Sequence, residues 1–186
     1  MNILKDQTGI IGKVTVRKHP PGSIERFRRL ILEAGSDPDK RARISAEIRK
    51  GEIALEQKNL VMQAVNVGKD LIVQRLLGTN TYTLNITHGA IGTNNAAPAA
   101  NDTKLGTEFA RSAPTFTQDS GYNEAILQFF FPDSVLTNQT YYEFGMFVDG
   151  TSSVNSGQIF NHALFSPGYA KTAGVDTTIE VDLTFN

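Results

Sequence analysis

A chain of 186 residues can bury a full hydrophobic core, and the absence of cysteine excludes a disulfide framework, a zinc-thiolate site and a catalytic cysteine. The net charge of −1 conceals an asymmetry, because residues 1–75 carry 15 Lys and Arg against 9 Asp and Glu, whereas residues 76–186 carry 3 against 10. We therefore predict a basic, partly helical part followed by an acidic, β-rich part.

The basic part begins with a strand pattern over residues 9–18, in which valines alternate with polar side chains. His19-Pro20-Pro21-Gly22 ends this strand, because proline cannot donate a hydrogen bond to a sheet ladder. Ser23 is a candidate N-cap for a first helix that ends at Gly35.

A second helix is predicted to start with Asp37 as its N-cap and to continue through residue 57. Its apolar stripe of Ile44, Ile48 and Leu55 is too narrow for a helix buried in a core, and it suits a helix that lies on a sheet, on another subunit or on a partner. We predict that residues 23–58 form a helical arm. The expected assembly contacts of this arm are Arg26, Phe27, Arg29, Leu30, Arg41, Ile44 and Ile48.

A third helical pattern covers residues 66–77, after a segment, residues 59–64, that could form a short strand. Asn66 is its candidate N-cap and Gly78 follows its last turn. We expect this helix to pack on a sheet through one apolar face, which comprises Val67, Leu71, Ile72, Leu76 and Leu77.

After Gly78 the apolar residues alternate with polar ones, as in strands. Turn-forming clusters such as Ser166-Pro167-Gly168 separate six predicted strands, near residues 82–91, 108–118, 123–131, 141–148, 157–165 and 177–185. Short strands with no helix between them favour antiparallel pairing. The predicted fold class is mainly β (α+β): an antiparallel β-sandwich with an N-terminal helical, charged segment. The strand and helices of residues 1–78 and the sandwich of residues 79–186 are expected to form one structural unit.

The segment GAIGTNNAAP, residues 89–98, is a candidate phosphate-binding loop because of its glycines. It matches neither G-x-x-x-x-G-K-[ST] nor G-x-G-x-x-G, and no helical pattern follows it to direct backbone N–H groups at a phosphate. We therefore expect a long surface loop. Glu108 and Arg111 could pin its far end, and together with Asp102 they are the predicted loop-pinning residues.

The three histidines, His19, His88 and His162, have no carboxylate beside them at metal-ligand spacing, and no serine lies in an elbow motif. We predict no metal site, no cofactor and no catalytic residue. The basic residues between positions 24 and 50 are interleaved with acidic ones, which argues against a nucleic-acid surface and favours docking to an acidic protein surface.

Acidic side chains leave a hydrolase as an alternative, because two carboxylates at a suitable separation can cleave a glycosidic bond. The candidates are Glu108, Glu124, Glu143 and Asp149. The sequence alone does not place any two of them together, and solvated faces or ion pairs explain them equally well.

Dispersed motif positions occur over residues 59–186. NLVMQAVNVGKDLIVQRLL precedes a strand that ends in Gly-Thr, an A-P-x-x-x-D-T-x-L-x-x-E-x-x-R loop, an E-x-G-x-F strand, a G-x-x-x-x-x-A-x-F strand and a lysine before the last strand. The matching residues are Gly92, Thr93, Ala97, Pro98, Asp102, Thr103, Leu105, Glu108, Arg111, Glu143, Gly145, Phe147, Gly157, Ala163, Phe165 and Lys171. In this order they resemble small β-sandwich virion subunits encoded in bacteriophage tail and virion modules. The charged segment of residues 20–58 departs from that family, which has a short turn there.

The resemblance implies a non-enzymatic structural subunit of a bacteriophage virion, in the tail, baseplate, neck or fibre-attachment region. Its expected partners are other copies of itself and other virion proteins. The opposite net charges of the two parts of the chain would favour association between neighbouring subunits. We expect assembly in the host cytoplasm, since the sequence shows neither a signal peptide nor a membrane span. The alternatives are a capsid decoration subunit and a carbohydrate-binding or adhesin module in which Tyr122, Tyr141, Tyr142 and Tyr169 stack on sugar rings.

Overall fold

Two antiparallel five-stranded sheets make up the sandwich in the computed structural model, which describes residues 10–60, 63–64, 66–79, 81–121 and 123–185. In chain order the elements are β1 (Ile10–His19), α1 (Ser23–Ala34), α2 (Pro38–Ile48), β2 (Glu52–Leu60), β3 (Gln63–Ala64), α3 (Asn66–Leu77), β4 (Ile86–Gly92), β5 (Glu108–Ser112), β6 (Pro114–Gly121), β7 (Glu124–Phe131), β8 (Thr140–Val148), β9 (Gln158–Ala170) and β10 (Asp176–Phe185). The first sheet has the order β2-β1-β10-β7-β6 and the second β3-β9-β8-β4-β5. The predicted fold class is confirmed.

Both parts of the chain build the sandwich. β1 pairs with β10 along its whole length, from Ile10 opposite Phe185 to His19 opposite Asp176, and β2 extends the same sheet. β3 pairs with β9 at the edge of the second sheet. Residues 1–78 therefore supply strands to both sheets, and the sandwich is not confined to residues 79–186.

The hydrophobic core lies between the two sheets, where alternate side chains of each strand point inward. Aromatic rings fill much of it, and Phe129 of β7 packs against Phe144 of β8 with 5.5 Å between the ring centres. The fully buried core residues include Val14, Val16, Phe131, Tyr141, Met146, Val148, Ile179 and Val181.

A helical layer, α1 and α2, covers the outer face of the first sheet. Phe130 of β7 points away from the sandwich core and joins a second apolar cluster with Ile24, Phe27, Ile44 and Ile48 of the two helices. Because Phe27, Ile44 and Ile48 are buried inside this chain, the prediction that these three contact a neighbouring subunit is wrong.

The N-termini of the two helices are capped differently. Asp37 caps α2 as predicted, since its side chain accepts hydrogen bonds from the backbone N–H groups of Asp39 and Lys40. Ser23 does not cap α1. Instead the carboxylate of Asp176, at the start of β10, accepts the N–H of Ile24 at 3.1 Å and ties the helix to the first sheet.

The predicted helical arm ends early. α2 stops at Ile48 and residues 52–60 form β2, so the helix predicted through residue 57 is wrong beyond residue 48. The chain reverses at Gly51, where a side chain would overlap the ring of His19, and it then pairs with the free edge of β1. Long-range pairing thus overrides the helical spacing of Leu55.

Two strand boundaries also differ from the prediction. The strand predicted over residues 108–118 is two strands, because the chain leaves the second sheet at Ala113 and enters the first at Pro114. The turn predicted at Ser166-Pro167-Gly168 lies inside β9, where extra residues bulge out between the pairs Glu143–Leu164 and Tyr141–Tyr169.

α3 packs against β9 of the second sheet. A side chain at Gly68 would overlap the backbone carbonyl of Phe160, so glycine permits the close approach, and Leu71 is buried beside it. The expected single apolar face is wrong for Leu76 and Leu77, which are exposed. None of the helices within the described ranges combines the length and the apolar character needed to cross a membrane.

Candidate functional site

The loop of residues 93–107, between β4 and β5, covers the outer face of the second sheet. Its apolar anchor is Leu105, which is 1 % exposed and packs with Ala90, Phe147 and Ile159. Gly145 of β8 leaves the space for this leucine, because a Cβ at that position would lie 2.9 Å from Leu105 Cδ2. The loop therefore has a packed underside.

Glu143 of β8 binds the two ends of this loop. It is 1 % exposed, and its Oε1 accepts the backbone N–H groups of Asn94 at 3.2 Å and Thr107 at 2.7 Å. Its Oε2 accepts the N–H of Gly106 at 2.9 Å. A buried carboxylate that accepts three N–H groups from both ends of a loop is a fastening point, since these hydrogen bonds hold the two ends of the loop together.

His162 of β9 lies between two carboxylates. Its Nε2 is 3.0 Å from Glu143 Oε2 and its Nδ1 is 2.7 Å from Asp102 Oδ2. Asp102 also accepts the N–H of Ala99 at 2.8 Å, which tightens the middle of the loop. We call Asp102, Glu143 and His162 the loop clasp. Both ring nitrogens face acceptors, so the doubly protonated imidazolium is the form that satisfies the clasp.

The loop clasp changes the pKa of two of its members. Burial favours the neutral ring, but the hydrogen bonds to Glu143 and Asp102 outweigh burial and raise the pKa of His162. Burial likewise opposes ionisation of Glu143, but the hydrogen bonds from His162 and the three backbone N–H groups lower its pKa. Between pH 4.5 and 6.5 the loop clasp is therefore an ion-paired unit.

The stability that the loop clasp provides should depend on pH. The pKa of His162 is raised in the folded state, so its ion pairs stabilise the fold fully at pH values below the ordinary histidine pKa of 6.5. This contribution disappears as the pH rises through the folded-state pKa. The pKa of Glu143 is lowered in the folded state, so its ionised form stabilises the fold at pH values above the ordinary glutamate pKa of 4.5. This contribution is lost as the pH falls through the folded-state pKa. We expect the difference in unfolding free energy between wild type and His162→Gln to be largest between these two values. Urea denaturation across a pH series measures it, and a difference that grows above pH 6.5 would contradict this assignment.

Glu108 and Arg111 of β5 form a second buried pair. Arg111 Nε is 2.6 Å from Glu108 Oε1 and Arg111 Nη2 is 2.7 Å from Glu108 Oε2, while both side chains are almost fully buried. Strand residues three apart normally point to opposite faces. A bulge at Phe109, where Ile91 pairs with Ala110 and Gly92 with Glu108, brings the two side chains together.

The same pair fixes the loop of residues 149–157, between β8 and β9. Arg111 Nη1 donates to the carbonyl oxygens of Thr151 and Ser156, each at 3.0 Å, and Glu108 Oε2 accepts the N–H of Asn155 at 3.0 Å. The pair thus fastens a second loop, whereas Asp102 fastens the first. Pinning by Glu108 and Arg111 was expected at the far end of the first loop alone.

Arg111→Lys should lower the unfolding free energy by about 2–3 kcal/mol, because lysine cannot make the paired contact to Glu108 and also reach the loop carbonyls. The matched control is Arg29→Lys, since Arg29 pairs with Glu33 at 3.8 Å on the exposed surface of α1. Chemical denaturation of both variants tests the prediction. Equal effects of the two substitutions would show that the buried pair does not hold the loop.

Glu180 of β10 is the centre of a third polar cluster, beneath α2. It is 1 % exposed and lies 3.2 Å from Arg17 Nη1 and 3.0 Å from Arg49 Nε. Gln128 of β7 donates a further hydrogen bond. Burial acts to raise the pKa of Glu180, but Gln128, Arg17 and Arg49 together lower it. This network joins the helical layer to three strands of the first sheet.

The other two histidines lie apart from the loop clasp. His19 packs edge-on against Phe27, with 5.3 Å between the ring centres, and burial together with Arg17 lowers its pKa to about 4. His88 is half-buried, and burial together with Arg111 lowers its pKa. Across the described residues, no group of three or more His, Asp or Glu side chains is arranged to hold a metal ion.

The carboxylates considered for glycoside hydrolysis lie in different surroundings. Glu143 is buried in the loop clasp, and Glu108 is buried in its pair with Arg111. Asp149 accepts the N–H of Thr83 at 2.7 Å. Glu124 is exposed on β7. Tyr141 and Tyr169 are buried in the core, so the expectation that they stack on sugar rings is wrong. Tyr142 is half-buried, and Tyr122 lies outside the described residues.

The sequence predicts His162 to be a polar strand position or a hydrogen-bonded core histidine, but it does not identify the partners of this residue. Its partners are 60 and 19 residues away along the chain, so no local spacing reveals them. One indication was available: Glu143 interrupts the aromatic strand YYEFGMF, and a charged residue in such a strand needs a partner if its face is covered.

Comparisons of the chain with protein-family models, with curated proteins and with solved structures give no match. Its function is therefore inferred from the contacts described above. The motif positions with the clearest roles in these contacts are Asp102, Leu105, Glu108, Arg111 and Glu143, each of which fastens a loop or packs beneath one.

Proposed function

We propose that this protein is a non-enzymatic structural subunit of a bacteriophage virion, in the tail, baseplate, neck or fibre-attachment region, that acts by multi-copy protein–protein assembly. The observation that carries the proposal is that the charged motif positions all serve internal contacts. Asp102 and Glu143 fasten the loop of residues 93–107, and Glu108 with Arg111 fastens the loop of residues 149–157. Polar residues used in this way fit a subunit whose function is to keep a fixed shape for its neighbours.

Catalysis fits this geometry less well. A general base needs a nitrogen or oxygen that is free to take a proton from a substrate. Both nitrogens of His162 face carboxylates, and the Glu143 oxygens accept three backbone N–H groups as well as His162. The loop clasp is therefore better suited to fixing the loop than to turnover.

The assembly surface differs from the one that the apolar stripe of α2 suggested. The apolar residues of the helical layer pack on their own sheet, and charged side chains at its surface form pairs such as Lys40–Asp37 and Lys50–Glu47. Arg26, Arg29, Leu30 and Arg41 are exposed or half-exposed and stay candidate contacts. α3 instead exposes apolar side chains, which favours it as a contact surface.

The proposal is tested by the content of phage particles. Quantitative mass spectrometry of purified particles from a phage that encodes this chain should find it in a fixed, multi-copy ratio to the other structural proteins. Electron microscopy of particles with a tag on this chain then separates a tail, baseplate or neck position from the alternative of a capsid decoration subunit. Particles that contain their other structural proteins but lack this chain would refute the proposal.

A further inference from the structure

The helical layer is inserted between two strands that are already neighbours. β1 and β2 pair antiparallel, with Lys18 opposite Glu52, and α1 and α2 lie in the chain between these two residues. A two-residue turn can join strands that pair in this way. Because α1 and α2 contribute no strand, the helical layer can leave the first sheet while every strand of the sandwich keeps its neighbours.

The two helices supply most of the apolar cluster that holds them in place. The described residues of the sheet contribute Phe130 to this cluster, whereas its other buried members belong to α1 and α2: Ile24, Phe27, Ala34, Ile44 and Ile48. Since both helices share one cluster, loss of one helix removes the packing of the other. They are therefore expected to separate from the sheet together.

The sheet face beneath the helical layer is mainly polar. Phe130 and Ile126 of β7 are apolar members of this face, but neighbouring positions on β1, β10 and β7 carry polar side chains. These residues, which we call the polar face, are each at most 5 % exposed: Thr15, Arg17, Gln128, Thr178 and Glu180. An antiparallel sheet often presents such a face to water. The sandwich therefore does not require the helical layer to cover a large apolar surface.

Several polar atoms at this boundary are buried without a hydrogen bond. Within the described ranges no partner lies within reach of five of them: Thr15 Oγ1, Arg17 Nε, Gln128 Oε1 and Thr178 Oγ1 in the sheet, and Ser45 Oγ in α2. A buried polar atom that gains no hydrogen bond in the protein disfavours the closed arrangement. Separation returns these atoms to water, which offsets part of the lost apolar packing.

We propose that the helical layer is a lid: α1 and α2 separate from the first sheet and unfold as one cooperative unit while both sheets stay paired. The contacts that close the lid are the hydrogen bond from Ile24 N–H to Asp176, the ion pair of Arg49 with Glu180, and the packing of the helices on Phe130. Opening uncovers the polar face. The inference does not depend on the proposed function, because it concerns the chain on its own.

Hydrogen exchange of the full chain in increasing, sub-denaturing urea tests the lid. We expect the amides of α1 and α2 to share one opening free energy and to have protection factors about tenfold or more below those of β10. Their exchange should also depend less on urea, because opening of the lid exposes less surface than global unfolding does.

A matched pair of variants separates the lid from the sandwich. Ile24 in the helical layer and Ile91 in the core between the sheets are both 0 % exposed. Ile91→Val should accelerate exchange in β10 about fivefold and leave α1 and α2 unchanged, because the closed and open forms both contain the intact core. Ile24→Val should accelerate exchange about fivefold in the helices and in β10, because only the closed form buries Ile24.

Three results would overturn the inference. The first is exchange of the α1 and α2 amides at the same free energy as the β10 amides, which would mean that the helices open only when the whole chain unfolds. The second is an equal acceleration of both sets of amides by Ile91→Val, which has the same meaning. The third is a different opening free energy for each helix, which would show that the two do not act as one unit.

Discussion

Glu143→Ala should lower the free energy of unfolding by about 3–5 kcal/mol, the range for breaking a buried ion pair by removing one partner. The substitution leaves three backbone N–H groups, those of Asn94, Gly106 and Thr107, without their acceptor, and it leaves His162 with Asp102 alone. Urea denaturation measures the loss. Hydrogen exchange should accelerate most at these three amides.

Glu47→Ala is the matched control, because Glu47 makes a 2.9 Å pair with Lys50 at the surface of the helical layer. This variant should unfold at nearly the wild-type denaturant concentration, as exposed pairs contribute little. If Glu143→Ala were as stable as Glu47→Ala, or if its three amides exchanged no faster than in wild type, the loop would not depend on the loop clasp.

Glu180→Ala should also cost about 3–5 kcal/mol of unfolding free energy, because it leaves the buried guanidinium of Arg17 without its carboxylate. Arg17 is 5 % exposed and has little access to solvent, whereas Arg49 can turn outward. Chemical denaturation should therefore show a large loss of stability, while the strands of the second sheet keep their hydrogen-exchange protection until global unfolding.

A double replacement by apolar residues shows how much of this loss comes from leaving the charge of Arg17 buried without a partner. The double variant Arg17→Met/Glu180→Leu should recover much of the stability, since a buried ion pair can often be replaced by apolar side chains of similar volume. If Glu180→Ala alone stayed within about 1 kcal/mol of wild type, the network beneath α2 would be weaker than a typical buried ion pair.

Much of the fold was predictable because it depends on local patterns. Alternating apolar and polar residues indicate a strand over residues 177–185 without reference to the rest of the chain. The turn residues after His19 likewise indicate the end of β1. Asp37 and Pro38 mark the start of α2 in the same way. The end of α2 was not predictable from spacing, because β2 forms only when the free edge of β1 is present to pair with it.

The candidate site was less predictable because its contacts join distant residues. Asp102, Glu108 and Arg111 lie in one segment and could be proposed together, but the sequence does not reveal that Asp102 meets His162 or that Arg111 reaches Ser156. The prediction of a single apolar face on α3 was wrong for a different reason. Leu71 and Leu76 are five residues apart, which places them on different sides of a helix, so contact with β9 covers Leu71 and leaves Leu76 exposed.

The central claim is that the polar side chains around the loop of residues 93–107 hold that loop and are not free for chemistry. Nitrogen-15 NMR of the His162 ring in the full chain tests it most directly. We expect the pKa of the His162 ring to lie above its ordinary value of 6.5, and at pH values below that pKa we expect both ring nitrogens to carry hydrogen-bonded protons that exchange slowly. A neutral ring with one free nitrogen, titrating at or below 6.5, would contradict the claim and reopen a catalytic role for this site.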